Sequence, residues 1–414
     1  MNNAAIWIIS GLSIAGVIIR PFKCSEAYYA ITGAILLIIF KFLNPAAAIS
    51  GVLKGLDVYL FLIGMMLLAE TAREERLFDW LAAHATLLSK GSSVRLFALI
   101  YLVGIFVTTF LSNDAAAVVL TPAVAAAVKA AKFEKPLPYL LICAFIANAA
   151  SFVLPISNPA NLVIYGEHLP ALGQWLSYYT VPSIAAILVT YFSLYYTQRE
   201  DLKQKINLNI SLPPFEDGAK AAMIGIGFTA VLLLVCSALD YPLGLPTAVT
   251  GILTSLLVLL RSKKSPVKII KGVSWGVIPL VAGLFIIVEA LNQTGLTSTI
   301  TAQLNVAVTR WGDGAVWLVG GITALGCNLM NNLPAGLIAG NVMQQAHSSG
   351  LIQRAVLIGV DIGPNLSITG SLATILWLVA LRKEKQDVSA WQFLKIGSVV
   401  MTLALLSALA CLFI

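Results

Sequence analysis

The sequence predicts an all-α polytopic membrane protein of two inverted-topology repeats, with about ten transmembrane helices, two re-entrant hairpins and two discontinuous helices. Three observations lead to this fold class: a very apolar composition, a weak internal repeat, and polar interruptions inside apolar runs. The 414 residues are 59% hydrophobic and 11% charged, whereas a soluble domain carries about 25% charged residues. A chain of this composition is expected in a bilayer.

Apolar runs long enough to cross the roughly 30 Å hydrocarbon layer as helices recur along the whole chain. They lie at about 4–19, 27–43, 57–72, 96–111, 115–128, 137–154, 179–197, 219–239, 245–260, 275–291, 315–330, 333–346, 355–380 and 390–413. We expect the segments 96–128 and 315–346 each to leave and return on the same side, as re-entrant hairpins. Full crossings over 96–128 fit the loop charges equally well, and would place the first hairpin tip at the outer surface.

The loop charges predict the orientation. With the two hairpins in place and the N-terminus outside, 22 of the 26 lysine and arginine residues fall on the inner side. Cytoplasmic loops of helical membrane proteins are rich in these residues. The sequence therefore predicts a multi-pass protein of the cytoplasmic (inner) membrane with both termini on the exterior side. The net charge of +7 is explained by this bias, and no nucleic-acid partner is expected.

An internal repeat supports the inverted topology. Shifting the chain by 219 residues aligns 58–77 with 277–296, and places Glu70 on Glu289. A shift of 212 aligns 154–164 with 366–376, and places Asp361 opposite Ala149. Five crossings in each half turn the second copy upside down. The predicted organisation is a first repeat at 1–197, a cytoplasmic linker at 198–217 and a second repeat at 218–414.

Four polar interruptions, two in each half, mark the candidate site: "SND" (112–114), "PISNPAN" (155–161), "MNNLPAG" (330–336) and "DIGPNLSITGS" (361–371). Irregular backbone survives at membrane depth only where it is buried in protein or lines a cavity. Helix ends restarting there offer N–H groups to a ligand. For any single serine or threonine, a cap or a helix-packing contact is a sufficient explanation.

The recurrence of asparagines beside breaks in both halves favours a binding role. The predicted substrate-binding residues are Ser112, Asn113, Ser157, Asn158, Asn161, Asn331, Asn332, Asn365, Ser367 and Thr369. No lysine or arginine lies in the four segments. This composition favours a neutral hydroxylated solute or a cation over a strongly anionic substrate.

Two acids inside these segments, Asp114 and Asp361, are predicted to exchange protons. An intramembrane acid is costly and is by default a functional candidate, and a low dielectric favours the neutral carboxyl. Glu70 and Glu289 lie near the ends of their runs and are expected to be helix-end or interfacial groups. Asp57 starts a run and is expected to cap its own helix.

The five cysteines, Cys24, Cys143, Cys236, Cys327 and Cys411, are scattered without a paired spacing. This pattern argues against a disulfide framework and against a metal site. No cofactor is expected.

The motifs "FLSNDAAAVVLTP", "NNLPAGLIAG" and "GVDIGPNLSITGSLATILWL" together resemble those of the arsenite/antimonite efflux transporters of the ion transporter superfamily. The run from Gly359 to Trp377 carries most of the specificity, and the similarity covers the whole chain. "SNPANL" (157–162) is less specific, since related anion and dicarboxylate transporters carry similar loops.

The resemblance implies hairpin tips at 112–114 and 331–334, helix breaks at 155–160 and 362–369, and export of trivalent arsenite or antimonite hydroxide driven by inward proton flow. Some members couple to a soluble arsenical-pump ATPase, which is therefore a candidate partner. Members often carry an acid where this chain has Asn148, which places more weight on Asp114 and Asp361. Arsenic also binds thiols, so Cys327 is kept as an alternative contact, against its expected role as a small buried hydrophobe.

Other functions remain open on the sequence alone. The first alternative is a sodium- or proton-coupled transporter of a small anion, such as a dicarboxylate, on the same fold. A channel is a second alternative. An intramembrane enzyme is disfavoured, because the chain has no HExxH or GxSxG motif and a repeat has no evident use in one.

Overall fold

The structure, a computed structural model, describes residues 3–204, 212–262, 264–346 and 350–414. Within these ranges the regular structure is helical, without strands. Seven helices of this described part are long and apolar enough to cross a membrane, or eight if the bent pair Pro45–Leu53 and Leu56–Glu74 is one span. The all-helical, multi-pass membrane fold predicted from the sequence is confirmed.

The first half begins with five helices before the first hairpin: α1 (Asn3–Ile19), α2 (Glu26–Ile39), α3 (Pro45–Leu53), α4 (Leu56–Glu74) and α5 (Leu77–Leu88). The hairpin and the helices after it are α6 (Ser93–Leu111), α7 (Asn113–Ala115), α8 (Thr121–Ala130), α9 (Leu137–Ala149), α10 (Pro159–Tyr165) and α11 (Leu172–Gln198). A π-helical turn, Ala116–Leu120, joins α7 to α8. Side-chain caps fix several starts; for example, Asn44 accepts a hydrogen bond from the Ala46 N–H at the start of α3.

The second half begins with α12 (Asp217–Ala238), α13 (Gly244–Ser262), α14 (Pro266–Gly272), α15 (Val277–Gln293) and α16 (Leu296–Trp311). It continues with α17 (Gly314–Met330), α18 (Asn332–Ala346), α19 (Gly350–Ile362), α20 (Leu372–Lys383) and α21 (Ala390–Ala410). Two short 3₁₀ turns, Gly363–Leu366 and Ile368–Gly370, separate α19 from α20. Of the predicted linker, residues 205–211 lie outside the described residues.

The two halves correspond element by element. Helices α3, α4 and α6 end 219 positions before the ends of α14, α15 and α17. Their packing is reciprocal, since α4 packs on α13 while α15 packs on α2, and α6 packs on α9 while α17 packs on α19. This exchange of partners is the signature of a pseudo-twofold relation between the halves.

The predicted register of the second part of the repeat is wrong by one residue. Helices α9 and α19 end 213 positions apart, and α10 and α20 start 213 apart. The position matching Asp361 is therefore Asn148 and not Ala149. The shift of 212 paired similar residues such as Ile156 and Ile368. Apolar residues fit neighbouring registers almost equally well, whereas the helix ends define a single register.

Several predicted boundaries also change. The run 355–380 is not one helix, because residues 363–371 interrupt it, and the run 137–154 is helical only to Ala149. Helices α3, α5, α14 and α16 were not predicted, and fewer described helices than the predicted ten meet the full-crossing criterion because α1, α2 and the halves of the discontinuous helices are short.

Asp57 does not cap its own helix. Gly55 holds the N-cap position of α4, and Asp57 Oδ1 accepts a hydrogen bond of 2.7 Å from the Gly244 N–H at the start of α13. The carboxylate therefore joins the two halves at a helix N-terminus, where a negative charge is favoured.

Candidate functional site

Both hairpins turn at a buried polar residue in the same unusual backbone conformation. Ser112 has φ 86° and ψ 159°, and Asn331 has φ 75° and ψ 155°. Their N–H groups close the last helical turn on the carbonyls of Thr108 and Cys327. Positive φ at residues other than glycine is uncommon and is often found at functional sites. The two tips are therefore structural counterparts, 219 residues apart.

Each tip packs against a helix break. Ser157, between α9 and α10, donates from Oγ to the Thr109 carbonyl at 3.0 Å. Thr369, between α19 and α20, donates from Oγ1 to the Asn328 carbonyl at 3.2 Å. Because each break lies part-way along a discontinuous helix, the tips end inside the protein. This contact favours re-entrant hairpins over full crossings.

The first break holds one of the two predicted proton sites. Asn158 caps α10 through its Oδ1, which accepts from the Ala160 N–H at 3.0 Å. The cap fixes the amide orientation, so Nδ2 points away from α10 and donates to Asp361 Oδ1 at 2.5 Å. Asp361 lies on α19 and is 1% exposed. A residue of the first half thus holds the carboxyl of the second.

The second break holds the corresponding arrangement without an acid. Ser371 caps α20, accepting from the Thr374 N–H, and its Oγ donates to Asn148 Oδ1 at 3.2 Å. The Nδ2 group of Asn148 donates to Asn365 Oδ1 at 3.0 Å. Asn365 in turn donates to the Phe145 carbonyl at 3.1 Å. Ser371 lies in the predicted polar segment 361–371 and Asn148 is the position of the family acid, but neither was among the predicted binding or proton-coupling residues.

Three further predicted site residues brace the broken backbone. Asn161 donates to the carbonyl groups of Ser151, Leu154 and Pro155 in the first break. At the second tip, Ser367 donates to Asn328 Oδ1 at 2.6 Å, and Asn331 donates to the Thr369 carbonyl. Asn328, which donates to the Gly363 carbonyl at 2.9 Å, is a member that the sequence did not indicate as a site residue. Part of the polar cluster therefore has a structural role.

Five buried side-chain oxygens in this region have no hydrogen-bond partner among the described residues. They are Thr108 Oγ1, Thr109 Oγ1, Asn161 Oδ1, Asn332 Oδ1 and Asp361 Oδ2. Helices α10, α18 and α19, which carry the last three, pack on one another, and α6 packs on the first break. Buried polar groups are rarely left unpaired, and such groups call for an explanation. These oxygens offer acceptors to a ligand that carries hydroxyl donors.

We call the buried polar side chains of the two helix breaks and their partners the polar centre; it includes Asn148, Asn158, Asn161, Asn365 and Asp361. Asp114 lies apart from it, on the wall of a cavity. It lines a small cavity of about 50 Å³ together with Ser112, and Glu70 contributes to the same wall. Glu70 is 4% exposed and is paired with Arg73 through two hydrogen bonds. The neighbouring Asn113 accepts from the Asp114 N–H at 2.9 Å. The two predicted proton sites therefore occupy different surroundings, one at a cavity wall and one in the packed centre.

A second cavity, of about 890 Å³, lies at the opposite ends of α4 and α15 from the small one. It opens beside the segments 166–170 and 237–243, between α4 and α15 on one wall and α10 and α18 on the other. Of the twelve predicted site residues, Ser112 and Asp114 line the small cavity, and none lines the large one. The other ten predicted site residues line neither of these two cavities.

The two cavities are related by the repeat. Eight of the fifteen residues around the small cavity have counterparts in the wall of the large one: Met66 with Phe285, Ala69 with Val288, Glu70 with Glu289, Val118 with Leu337, Gly272 with Leu53, Val273 with Lys54, Val277 with Val58, and Leu376 with Val163. The corresponding residues of the two repeats therefore line a wide cavity in one case and a narrow cavity in the other.

The described cysteines and acids form no site for a resident metal. Within the described ranges, no group of three or more His, Cys, Asp or Glu side chains could hold a metal ion. Cys327 is fully buried, and its Sγ faces the Val360 carbonyl at 3.8 Å. Cys327 packs as the small buried hydrophobe that was the first expectation.

Comparison with known protein families assigns the sequence to one of them. The sequence pattern of the citrate transporter family, CitMHS, matches residues 14–360. The chain belongs to the CitMHS family. Its CitMHS relationship and its apolar helices identify the protein as a multi-pass membrane transporter.

Relatives of this CitMHS member are named for arsenical transport. It is 29% identical to the "Arsenical pump membrane protein" of Escherichia coli K12, over 95% of this chain and 94% of that protein. A "Putative arsenical pump membrane protein" of Bacillus subtilis is 24% identical, with 95% of each chain covered. The resemblance to arsenite/antimonite transporters found in the motifs is confirmed by these relatives.

A solved structure matches the fold of this CitMHS protein. It is the Alcanivorax borkumensis YdaH transporter, described as having an unusual topology. The TM-score is 0.56 at 14% sequence identity, and the match covers 88% of this chain and 86% of the other. At this identity the match supports the fold alone.

Proposed function

We propose that this protein is a secondary active transporter that exports arsenite or antimonite in exchange for protons by alternating access. The unpartnered acceptor oxygens of the polar centre are the observation that carries this proposal. Arsenite and antimonite at neutral pH are chiefly neutral trihydroxides, which carry three O–H donors. The oxygens of Asn161, Asn332 and Asp361 can accept from such a ligand, and the names of the relatives agree with it.

The competing substrate is a small carboxylate, which the description of the CitMHS family as citrate transporters favours. A carboxylate needs hydrogen-bond donors or cations, whereas the unpartnered atoms of the asparagines and of Asp361 are acceptors. The four polar segments also contain no lysine or arginine. The chemistry of the centre therefore favours the hydroxide over the anion.

In this proposal, the ligand is held by Ser112, Asn113, Ser157, Asn158, Asn161, Asn331, Asn332, Asn365, Ser367 and Thr369. Asp114 and Asp361 carry the protons. Asp361 is the stronger candidate for direct coupling, because the predicted binding residue Asn158 donates a hydrogen bond to its carboxyl. Asp114 serves the small cavity. A soluble arsenical-pump ATPase remains a candidate partner.

The unequal cavities support alternating access. Corresponding wall residues enclose about 890 Å³ on one side and about 50 Å³ on the other. If the transport elements α6–α10 and α17–α20 move against α4 and α15, the small cavity opens as the large one closes. Within the proposed organisation (1–197, 198–217 and 218–414, inner membrane, both termini outside) the large cavity faces the exterior.

Transport in everted membrane vesicles tests the function. We expect arsenite or antimonite uptake that depends on the proton gradient and disappears with an uncoupler. Citrate and sodium are the matched controls, because the competing reading predicts uptake of carboxylate that arsenite does not inhibit. Sodium-dependent carboxylate uptake without metalloid transport would contradict the proposal.

Cysteine labelling tests the alternating access separately. Val118 and Leu337 are repeat counterparts in the small and the large cavity. In a background without native cysteines, a membrane-impermeant maleimide should label L337C from outside and V118C from inside, each in the state that protects the other. Simultaneous labelling of both sites under every condition would argue for a channel.

A further inference from the structure

A pair of tyrosines lies between the buried Asp361 and the large cavity. Tyr165, the last residue of α10, and Tyr179 on α11 join their hydroxyl groups at 2.6 Å. Tyr165 lines the large cavity, whereas Tyr179 is fully buried. The pair therefore has one end at an aqueous space and the other end inside the protein.

Tyr179, the buried member of the pair, lies against the first helix break. The ring of Tyr179 packs on Trp175 at a centroid distance of 4.6 Å and on Phe152 at 6.1 Å. Phe152 belongs to the first helix break, where Asn158 binds Asp361. Asp361 also acts electrostatically on Tyr179, without a hydrogen bond between the two groups. The aromatic packing thus places Tyr179 against the helix break whose Asn158 binds Asp361.

The charged and titratable groups that act on the pair are few in the described structure. Arg354, on α19, interacts with both hydroxyl groups, and its guanidinium carbon lies 3.4 Å from the ring centre of Tyr178. Tyr178 acts electrostatically on Tyr165, and Asp361 on Tyr179. Around Asp361 itself, Asn158 donates to Oδ1, the Ser151 hydroxyl and Cys327 also face the carboxyl, and Oδ2 makes no hydrogen bond in the described ranges. The free oxygen is the atom that a proton would reach.

We propose that Tyr165 and Tyr179 form the proton path between the large cavity and Asp361. In one concerted relay, a hydronium ion of the cavity water gives a proton to Tyr165 Oη as the Tyr165 proton passes to Tyr179 Oη and the Tyr179 proton leaves over intervening water to the Asp361 carboxylate. Both phenols are neutral before and after, and the net change is one proton moved from the cavity to Asp361. This inference rests on the proposed proton coupling and adds its route.

Phenylalanine variants separate a proton path from a structural contact. Y165F or Y179F interrupts the path once, so each single variant and the double variant should lose proton-driven arsenite uptake equally, by at least about tenfold. A structural role predicts a different order. A single change leaves a buried hydroxyl unpaired, whereas the double change removes both and restores a matched apolar contact.

The matched control is Y178F, because Tyr178 neighbours the pair but lies against Arg354. It should keep wild-type uptake. Exchange of labelled for unlabelled arsenite at zero proton gradient should survive in all the variants if only the proton path is broken. Wild-type proton-driven uptake in Y179F would overturn the proposal, as would an equal loss of exchange and uptake.

A second readout needs no substrate. After a rapid acidification, the infrared C=O band of protonated Asp361, identified by its loss in D361N, should appear at least about tenfold more slowly in Y179F than in Y178F. Equal rates would overturn the path even if the protein moves another substrate. Failure of arsenite uptake in the wild type, with a slow band in Y179F, would overturn only the proposed function.

Discussion

The two discontinuous helices carry the same hydrogen-bonded arrangement with one difference in charge. In the first, the cap residue Asn158 donates to the Asp361 carboxyl at 2.5 Å. In the second, the cap residue Ser371 donates to the Asn148 amide at 3.2 Å. Both donors and both acceptors are 213 positions apart. The two halves therefore share the geometry of the cap and its acceptor, but only the acceptor Asp361 can change its charge.

The two acceptor residues, Asp361 and Asn148, also differ in how many of their side-chain atoms form hydrogen bonds. Asn148 bonds through both amide atoms, to Ser371 and to Asn365. Asp361 has one oxygen without a partner in the described structure. A fully bonded amide locks its break, while a carboxyl with a free oxygen can take up a proton or a ligand. We infer that, of the two helix breaks, the one that binds Asp361 carries a proton site and the other serves as its fixed counterpart.

The largest expected effect comes from removing this difference in charge. D361N makes the two breaks alike, so we expect proton-driven arsenite uptake to fall about 100-fold or more, the scale of a lost proton-transfer group. Everted vesicles measure the uptake, and unchanged solubility and melting temperature control for folding. Full uptake by D361N would move the proton role to Asp114.

A smaller effect separates the two cap residues. N158A removes a donor from a buried carboxyl, and we expect a loss of about 2–3 kcal/mol when Asp361 is charged, against about 1 kcal/mol for S371A, since bonds to charged groups are stronger. Thermal unfolding of the purified variants at neutral pH measures the difference. Equal losses would mean that Asp361 is neutral in the state observed.

The sequence predicted the hairpin tips and the helix breaks because polar residues and prolines interrupt apolar runs there, and irregular backbone at membrane depth must be buried in protein or line a cavity. Register was harder, since the shift of 212 satisfied residue similarity and hid the match of Asp361 with Asn148. Contacts such as that of Asn148 with Asn365 join residues 217 positions apart. No local pattern reports them, so Asn328 and the hydrogen-bond partners of Asn148 and Ser371 were found only in the folded protein.

The reverse change places an acid at Asn148, the position beside the second break that corresponds to Asp361. N148D removes the donor that Asn365 receives, so we expect a destabilisation of about 1–3 kcal/mol. The loss should shrink at acidic pH, because a protonated carboxyl regains an O–H donor for Asn365. Melting temperatures at several pH values, compared with those of N148A, which cannot regain a donor, measure this effect. A pH-independent loss equal to that of N148A would show that the new group does not titrate there.

The smallest effects should be equal in the two repeats. Ser157 donates to the Thr109 carbonyl and accepts from the Leu154 N–H, and Thr369 donates to the Asn328 carbonyl and bonds with Ser367. Neither contact involves a charge, so S157A and T369V should each cost about 1 kcal/mol. Matching losses in thermal unfolding would confine the difference between the two helix breaks to Asp361 and Asn148. A much larger loss for one variant would mean that the tips differ too, and that the asymmetry extends from the breaks into the hairpins.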